Sequence, residues 1–137
     1  MARAWAQAAW NQRDLDAAVA FLAPDWVGHY GGLGDAHGPD GFRRVAGAFL
    51  AAIPDMQITV EDALAVGEKL VRRVSWTATP QGEFLGVPAT GRRVAVRETI
   101  ILRGADGTIA EEWDMADLLG LLQQLGAVPA FRLDALA

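Results

Sequence analysis

The amino-acid sequence predicts an α+β fold with helices packed on one face of a sheet. Apolar residues recur at helical spacing as far as Pro54, and the period then changes from 3.6 to 2. Helices first and a meander of strands afterwards is the order expected of that class.

Ala4, Trp5, Ala8 and Ala9 define a first helix that Asn11 closes. Asp14 is a suitable N-cap for a second, Leu15 to Leu22, ended by Pro24. Asp25 to Tyr30 reads as a short strand or turn, and Gly31, Gly32, Gly34 and Gly38 mark a loop. Pro39 and Asp40 open a third helix with Phe42, Val45, Ala46, Phe49, Leu50 and Ile53 along one stripe, stopped by Pro54. Alternation then gives strands over Met56–Val66 and Leu70–Ala78, with Arg72 breaking the second pattern. Residues 81–92 form a Gly/Pro-punctuated excursion with the apolar tip Phe84-Leu85. Strands over Val94–Arg103 and Thr108–Ala116 follow, and a last helix runs from the N-cap Asp117 to Leu125, with Gly126 beyond it.

At 137 residues the chain is expected to be one domain spanning 1–137. It has no cysteine, which excludes a disulfide framework, a thiolate metal site and a cysteine nucleophile. With only His29 and His37 no metal site is expected. The net charge of −5 and a pI near 4.9 argue against nucleic acid or an anionic membrane as partner. The longest apolar stretch, Ala46 to Ile53 apart from Gly47, is too short to span a bilayer. The N-terminus lacks the pattern of a signal peptide, so the expected compartment is the cytoplasm.

The final hairpin is the most informative segment. Val94, Val96, Ile100 and Leu102 make one face of a strand apolar, and Glu98 interrupts it. A carboxylate there needs pairing or protonation. A three-residue loop with Gly107 in the left-handed position sets Gly104 opposite Thr108, Ile100 opposite Glu112 and Glu98 opposite Asp114. Glu98, Glu112 and Asp114 then share a face. A two-residue Asp106-Gly107 turn shifts the register by one and separates Glu98 from Asp114. Acids clustered on an apolar surface cannot all ionise cheaply, which is the requirement for acid–base chemistry without a metal. The plainer alternative pairs Glu98 and Glu112 with Arg72 or Arg97 as ordinary ion pairs, or points them into solvent on an edge strand.

Further residues form a pattern: Ala23-Pro24-Asp25-Trp26-Val27-Gly28-His29, Gly38-Pro39, Ile53-Pro54-Asp55-Met56, Gly82 to Gly91, Asp106 to Asp114 and Gln123 to Gly126. This resembles the SnoaL-like polyketide cyclases, or ester cyclases, of the NTF2-like superfamily, over nearly the whole chain. The resemblance implies a cone-shaped α+β fold: a curved, mainly antiparallel sheet against N-terminal helices, enclosing an apolar pocket. It also implies a homodimer or higher homo-oligomer and aldol-type ring closure of a polyketide ester with no metal or organic cofactor. The family's catalytic aspartate falls at Asp114. The chain departs from the cyclases where they carry glutamine (here Glu98) and histidine (here Ile100 and Glu112).

The candidate catalytic residues are therefore Asp114, Glu98, Glu112 and His29, the last as a donor to a developing enolate oxygen. Trp10, Trp26, Phe49, Trp76, Phe84 and Ile100 are candidates for an aromatic and apolar substrate wall, with 81–91 as a lid. The leading expectation is a cofactor-independent cyclase or isomerase acting on an apolar, carbonyl-bearing small molecule. Its alternatives are an epoxide hydrolase, for which Arg72 or Arg97 with Asp114 loosely suggests an Asp–Arg–Asp relay, and a non-catalytic binding module.

Overall fold

The computed structural model describes residues 1–131 and 133–136. The helix α1 (Ala2–Ala6) runs on into a π-helical turn, Gln7–Asn11, and α2 is Leu15–Val19. Asp14 caps α2 by accepting from the Ala17 N–H. After β1 (Leu22–Tyr30) and β2 (Gly34–His37) comes α3 (Gly38–Ala52). Four strands follow, β3 (Gln57–Val66), β4 (Lys69–Ala78), β5 (Val94–Ala105) and β6 (Thr108–Ala116), and then α4 (Leu118–Gln124). Asp117 caps α4 through the Gly120 N–H. A short 3-10 turn covers Leu133–Leu136.

The six strands form one mixed, open sheet in the order β2-β1-β6-β5-β4-β3. Only the β1–β6 pair is parallel; the other neighbouring pairs are antiparallel. The second helix is shorter than the sequence predicts, because Leu22 already pairs with Ile109 as the first residue of β1. Pro24 lies inside that strand at the register shift between Leu22 and Val27, where no ladder donor is required of it. The expected glycine loop contains β2, held to β1 by pairs from Val27–His37 to Tyr30–Gly34.

The helices cover one sheet face. Phe42 of α3, fully buried, lies with its ring 5.6 Å from Trp5, 6.0 Å from Trp10 and 5.7 Å from Trp26. Trp26 fits because β1 has glycine two residues on: a Cβ at Gly28 would collide with the Trp26 ring. Among the described residues no helix is long and apolar enough to cross a membrane.

The hairpin register differs from the expected one in an instructive way. Ala105 pairs with Thr108, so the turn has two residues, Asp106 and Gly107, both at positive φ (50° and 77°) as a type I′ turn demands. Gly104 pairs with Ile109 but Arg103 with Glu111, leaving Ala110 as an extra residue. The turn alone moves the register by one, and the bulge at Ala110 by one more. Two steps restore the face: Ile100 stands opposite Asp114 and Glu98 opposite Ala116. Glu98 and Asp114 are thus diagonal rather than directly opposed neighbours.

Candidate active site

Across β4, β5, β6 and β1, Arg72, Ile100, Asp114 and Tyr30 occupy one row of the inner face. The adjoining row on one side is Leu70, Leu102, Glu112 and Gly28, and on the other Val74, Glu98 and Ala116. The sheet thereby gathers three carboxyl groups, a phenol and a guanidinium beneath the helices. Glu98, Glu112, Asp114 and Tyr30 open onto a cavity walled by Trp10, Val45, Phe49, Met56, Ile58, Trp76, Ile100, Leu118 and Leu121. It is narrow, with a volume of about 50 Å³.

These surroundings decide the protonation states. Burial pushes Asp114 up to about 6, opposed by the positive charge of Arg72. Glu98 is pushed up to about 8, first by burial and then by Asp114, while the Trp76 N–H and Arg72 act the other way. Trp76 Nε1 donates to Glu98 Oε1 at 2.6 Å, which fixes the carboxyl group. Glu112, 3% exposed, lies well above the ordinary carboxylate range because of burial and then Asp114. Its Oε2 has no hydrogen-bond partner among the described residues. Tyr30 is raised by burial, then by Glu112, Asp114 and Glu98. Burial thus raises all three carboxyl groups, and Asp114 the least far, so it is the one that ionises most readily.

Of the residues expected to form the site, the structure brings together Asp114, Glu98, Glu112, Trp10, Phe49, Trp76 and Ile100. It does not bring His29 there. Trp26, Gly28 and Tyr30 face inward along β1, so strand alternation puts His29 on the opposite sheet face. There its Nδ1 lies 3.1 Å from Asp35 and its Nε2 2.8 Å from Glu111, and its ring stacks on Trp113 at 5.7 Å. Trp26 is core rather than cavity wall, because its ring folds over Gly28 toward Phe42. Phe84 is also buried but stands behind the wall, 5.3 Å from Phe49, while Leu85 of the same loop is exposed. The ordinary ion pairs are not made: among the described residues neither Arg72 nor Arg97 comes within 4.0 Å of Glu98 or Glu112. No cluster of three or more His, Asp or Glu among the described residues is placed to hold a metal ion.

Sequence reasoning missed Tyr30, whose place beside Asp114 depends on the parallel β1–β6 pairing between distant segments. Arg72 was visible as a break in an apolar alternation, and that break was the signal of an inward charge.

The fold is the NTF2/ketosteroid isomerase-like one, shared with a Catenulispora acidiphila protein of that fold at a TM-score of 0.77 and 21% identity, over 91% of either chain. The chain belongs to the SnoaL-like polyketide cyclase family, whose model matches residues 1–125. Aklanonic acid methyl ester cyclase DnrD from Streptomyces peucetius is 42% identical over 45 residues. That stretch is 33% of this chain and spans only 31% of DnrD. AclR from Streptomyces galilaeus, provisionally described as a hydroxylase, has a solved structure with a TM-score of 0.84 at 32% identity, covering 98% of this chain and 84% of AclR. IdmH from Streptomyces antibioticus, provisionally described as a polyketide cyclase, gives 0.80 at 34% identity, covering 91% of this chain and 95% of IdmH.

Proposed function

We propose that the chain is a cyclase or isomerase that moves protons on an apolar, carbonyl-bearing, polyketide-like small molecule. The observation that carries this is the trio Glu98, Glu112 and Asp114 on one apolar cavity, with Asp114 the easiest to ionise. Asp114 removes a proton from the carbon next to a carbonyl. The enolate carbon then forms a bond to a second carbonyl carbon, and the alkoxide takes the proton of Glu98. Protonated Glu112 and the Tyr30 hydroxyl steady the enolate oxygen. Nothing is oxidised and no water is consumed, and the carboxyl and phenol groups of this chain supply each proton transfer and hydrogen bond of the step. The membership in the SnoaL-like family and the partial likeness to DnrD support ring closure over simple isomerisation.

Epoxide hydrolysis is the second reading, favoured by the buried guanidinium of Arg72 facing Asp114 and Glu112. We further propose one domain over residues 1–137, a cytoplasmic location and a homodimer or higher homo-oligomer; exposed Met115 and half-buried Trp113 and Ile101 on the outer sheet face support the assembly.

Ligand binding followed by tryptophan fluorescence, then mass spectrometry and NMR of the ligand, tests the function. Aromatic polyketide ketones and esters, terpenoid epoxides and simple aliphatics serve as probes for the wild type and Asp114→Asn. The expected result is binding by both and cyclisation by the wild type alone. A diol from an epoxide would establish the second reading. Binding without any conversion would make the chain a carrier, and full turnover by Asp114→Asn would refute the mechanism.

A further inference from the structure

The cavity is too small for a ring compound as it stands. Its volume of about 50 Å³ compares with roughly 300–1,000 Å³ for sites that hold small molecules, so one wall must move before such a ligand enters. The sheet walls are fixed by the strand ladder, and α3 is anchored by Phe42 among Trp5, Trp10 and Trp26. The β1–β2 turn is tied down by the Gly31 N–H, which donates to the Asp114 carbonyl at 2.9 Å. Trp10 is held through the next residue. Asn11 Nδ2 donates to the Ile58 carbonyl at 3.2 Å, and the Ile58 N–H donates to Asn11 Oδ1 at 2.9 Å. Arg13 reinforces that wall, with Nε to the Pro54 carbonyl at 2.6 Å and Nη2 to the Met56 carbonyl at 3.1 Å. No residue of the 81–91 excursion lines the cavity. The remaining wall is α4, which contributes Leu118 and Leu121.

At its start α4 is joined to β5 by the Asp117 N–H, which donates to the Arg97 carbonyl at 2.9 Å just beyond the pair Glu98–Ala116. Two residues further along β5, the side chain of Gln124 takes the place of a strand. The Ala95 N–H donates to Gln124 Oε1 at 2.8 Å, and Gln124 Nε2 donates to the Ala95 carbonyl at 2.8 Å. The same Nε2 reaches the Gly120 carbonyl at 3.2 Å, so one amide braces the helix and docks it. Arg92 adds a long contact, 3.4 Å, to the Gln124 carbonyl. Asn11 and Gln124 thus fasten two walls to the sheet by the same device, but only Asn11 has an arginine making two further short bonds beside it. The rest of the hold on α4 is the burial of Leu121 and Leu125. Leu121 lines the cavity, so apolar surface of an entering ligand can replace its contacts.

We propose that α4 is the wall that swings aside to admit the ligand, and that Gln124 is the positioning residue that latches it shut. Release of the Gln124–Ala95 pair frees the end of the helix while Asp117 keeps its start on β5 as the hinge. Leu118 and Leu121 then withdraw from the cavity, and their return closes it over the three carboxyl groups. The proposal deepens the reading of this cavity as the ligand site and rests on it, whatever the course of the proton transfer.

Native-state hydrogen exchange in low urea tests the latch without a ligand, on the wild type and on Gln124→Met, which keeps the length and loses the amide. The N–H groups of Leu121 and Leu125, bonded within α4, are expected to exchange faster than that of Ile100 in β5 and with little dependence on urea. In Gln124→Met they are expected to exchange about tenfold faster or more. A common rate and urea dependence for α4 and β5 would overturn the proposal, because α4 would then open only with the whole protein. Unchanged α4 exchange in Gln124→Met would overturn it too. If that variant fails to fold, Gln124→Glu decides in the same way, since it keeps an acceptor for Ala95 and loses the donor. Stopped-flow fluorescence of Trp10 and Trp76 with acetonaphthone, a two-ring aromatic ketone, tests admission. Association with Gln124→Met is expected to quicken in proportion to its exchange, about tenfold. Equal association rates in the two forms, or binding by neither, would overturn the proposal. Failure of the proton-transfer reading shows elsewhere, as undiminished turnover by Asp114→Asn.

Discussion

The indole N–H of Trp76 reaches Glu98 Oε1 at 2.6 Å across neighbouring strands, so the tryptophan at the cavity wall also governs an acid of the site. A donor to a carboxyl oxygen favours the ionised form, and Trp76 accordingly acts against the burial that raises Glu98. Trp76→Phe removes the donor and keeps an aromatic ring, though a smaller one. The Glu98 midpoint is expected to move above its present value of about 8, and stability to fall by about 1 kcal/mol. Carboxyl NMR titration and denaturant unfolding check the two halves.

Activity is expected to follow a bell-shaped pH profile. Asp114 must be ionised, so the rate rises as pH passes about 6. Glu98 must hold its proton, so the rate falls as pH passes about 8. The two groups are neighbours, and the limbs report the pair. A rate still rising well above the upper midpoint would remove Glu98 as the acid. Asp114→Asn is expected to lower turnover by roughly 10²–10⁴-fold with the fold intact.

Stability should respond to pH through the buried acids. Glu112 is held far above its unfolded value, so folding favours its protonated form. That contribution is full below the unfolded value of 4.5 and is lost as pH rises toward the folded one. Glu112→Gln, which cannot ionise, is expected to stabilise the fold at about pH 8 by on the order of 1–3 kcal/mol, with little effect at about pH 4. Thermal unfolding at the two pH values is the check, and equal effects at both would refute it.

His29 should behave as a structural residue of the outer face. Its hydrogen bond to Glu111 raises it, so it contributes stability below its ordinary 6.5 that is lost as pH rises through the folded value. Glu111 is lowered by the same contact, and its contribution, present above 4.5, disappears only under acid. His29→Gln is therefore expected to cost at most about 1 kcal/mol at slightly acid pH, less above about pH 8, and to leave turnover within about twofold. Loss of turnover without loss of stability would return His29 to the site.

Much of the site was legible because strand alternation is a strong constraint. Glu98 lies at even spacing with Ile100 and Leu102 and shares their face, and Glu112 and Asp114 share one face of β6, which joins that of Glu98 only in a register that pairs even positions with even. The bulge at Ala110 was not legible, since nothing about an alanine in a strand announces that it is unpaired. The inward place of Tyr30 and the outward place of His29 were not legible for a different reason. Their faces follow from Trp26 and Gly28, and a glycine carries no polarity by which to orient a strand. Trp26 and Phe84 illustrate a third limit: composition marks a large aromatic as buried, but only packing separates a wall from what stands behind it.

The place of β6 has a consequence for how the molecule is made. It follows the other five strands of the sheet in chain order, yet it lies in the interior, between β1 and β5. Until residues 108–116 have been synthesised, β1 with its paired β2 has no partner joining it to the other strands, and Trp26 and Ile100 belong to separate halves. Insertion of β6 closes the gap and, in the same event, carries Glu112 and Asp114 out of water. The nascent chain thus never has to keep those carboxyl groups dry before the completed sheet can shelter them, and the loop-closure cost of joining residue 30 to residue 114 is met once, at the end.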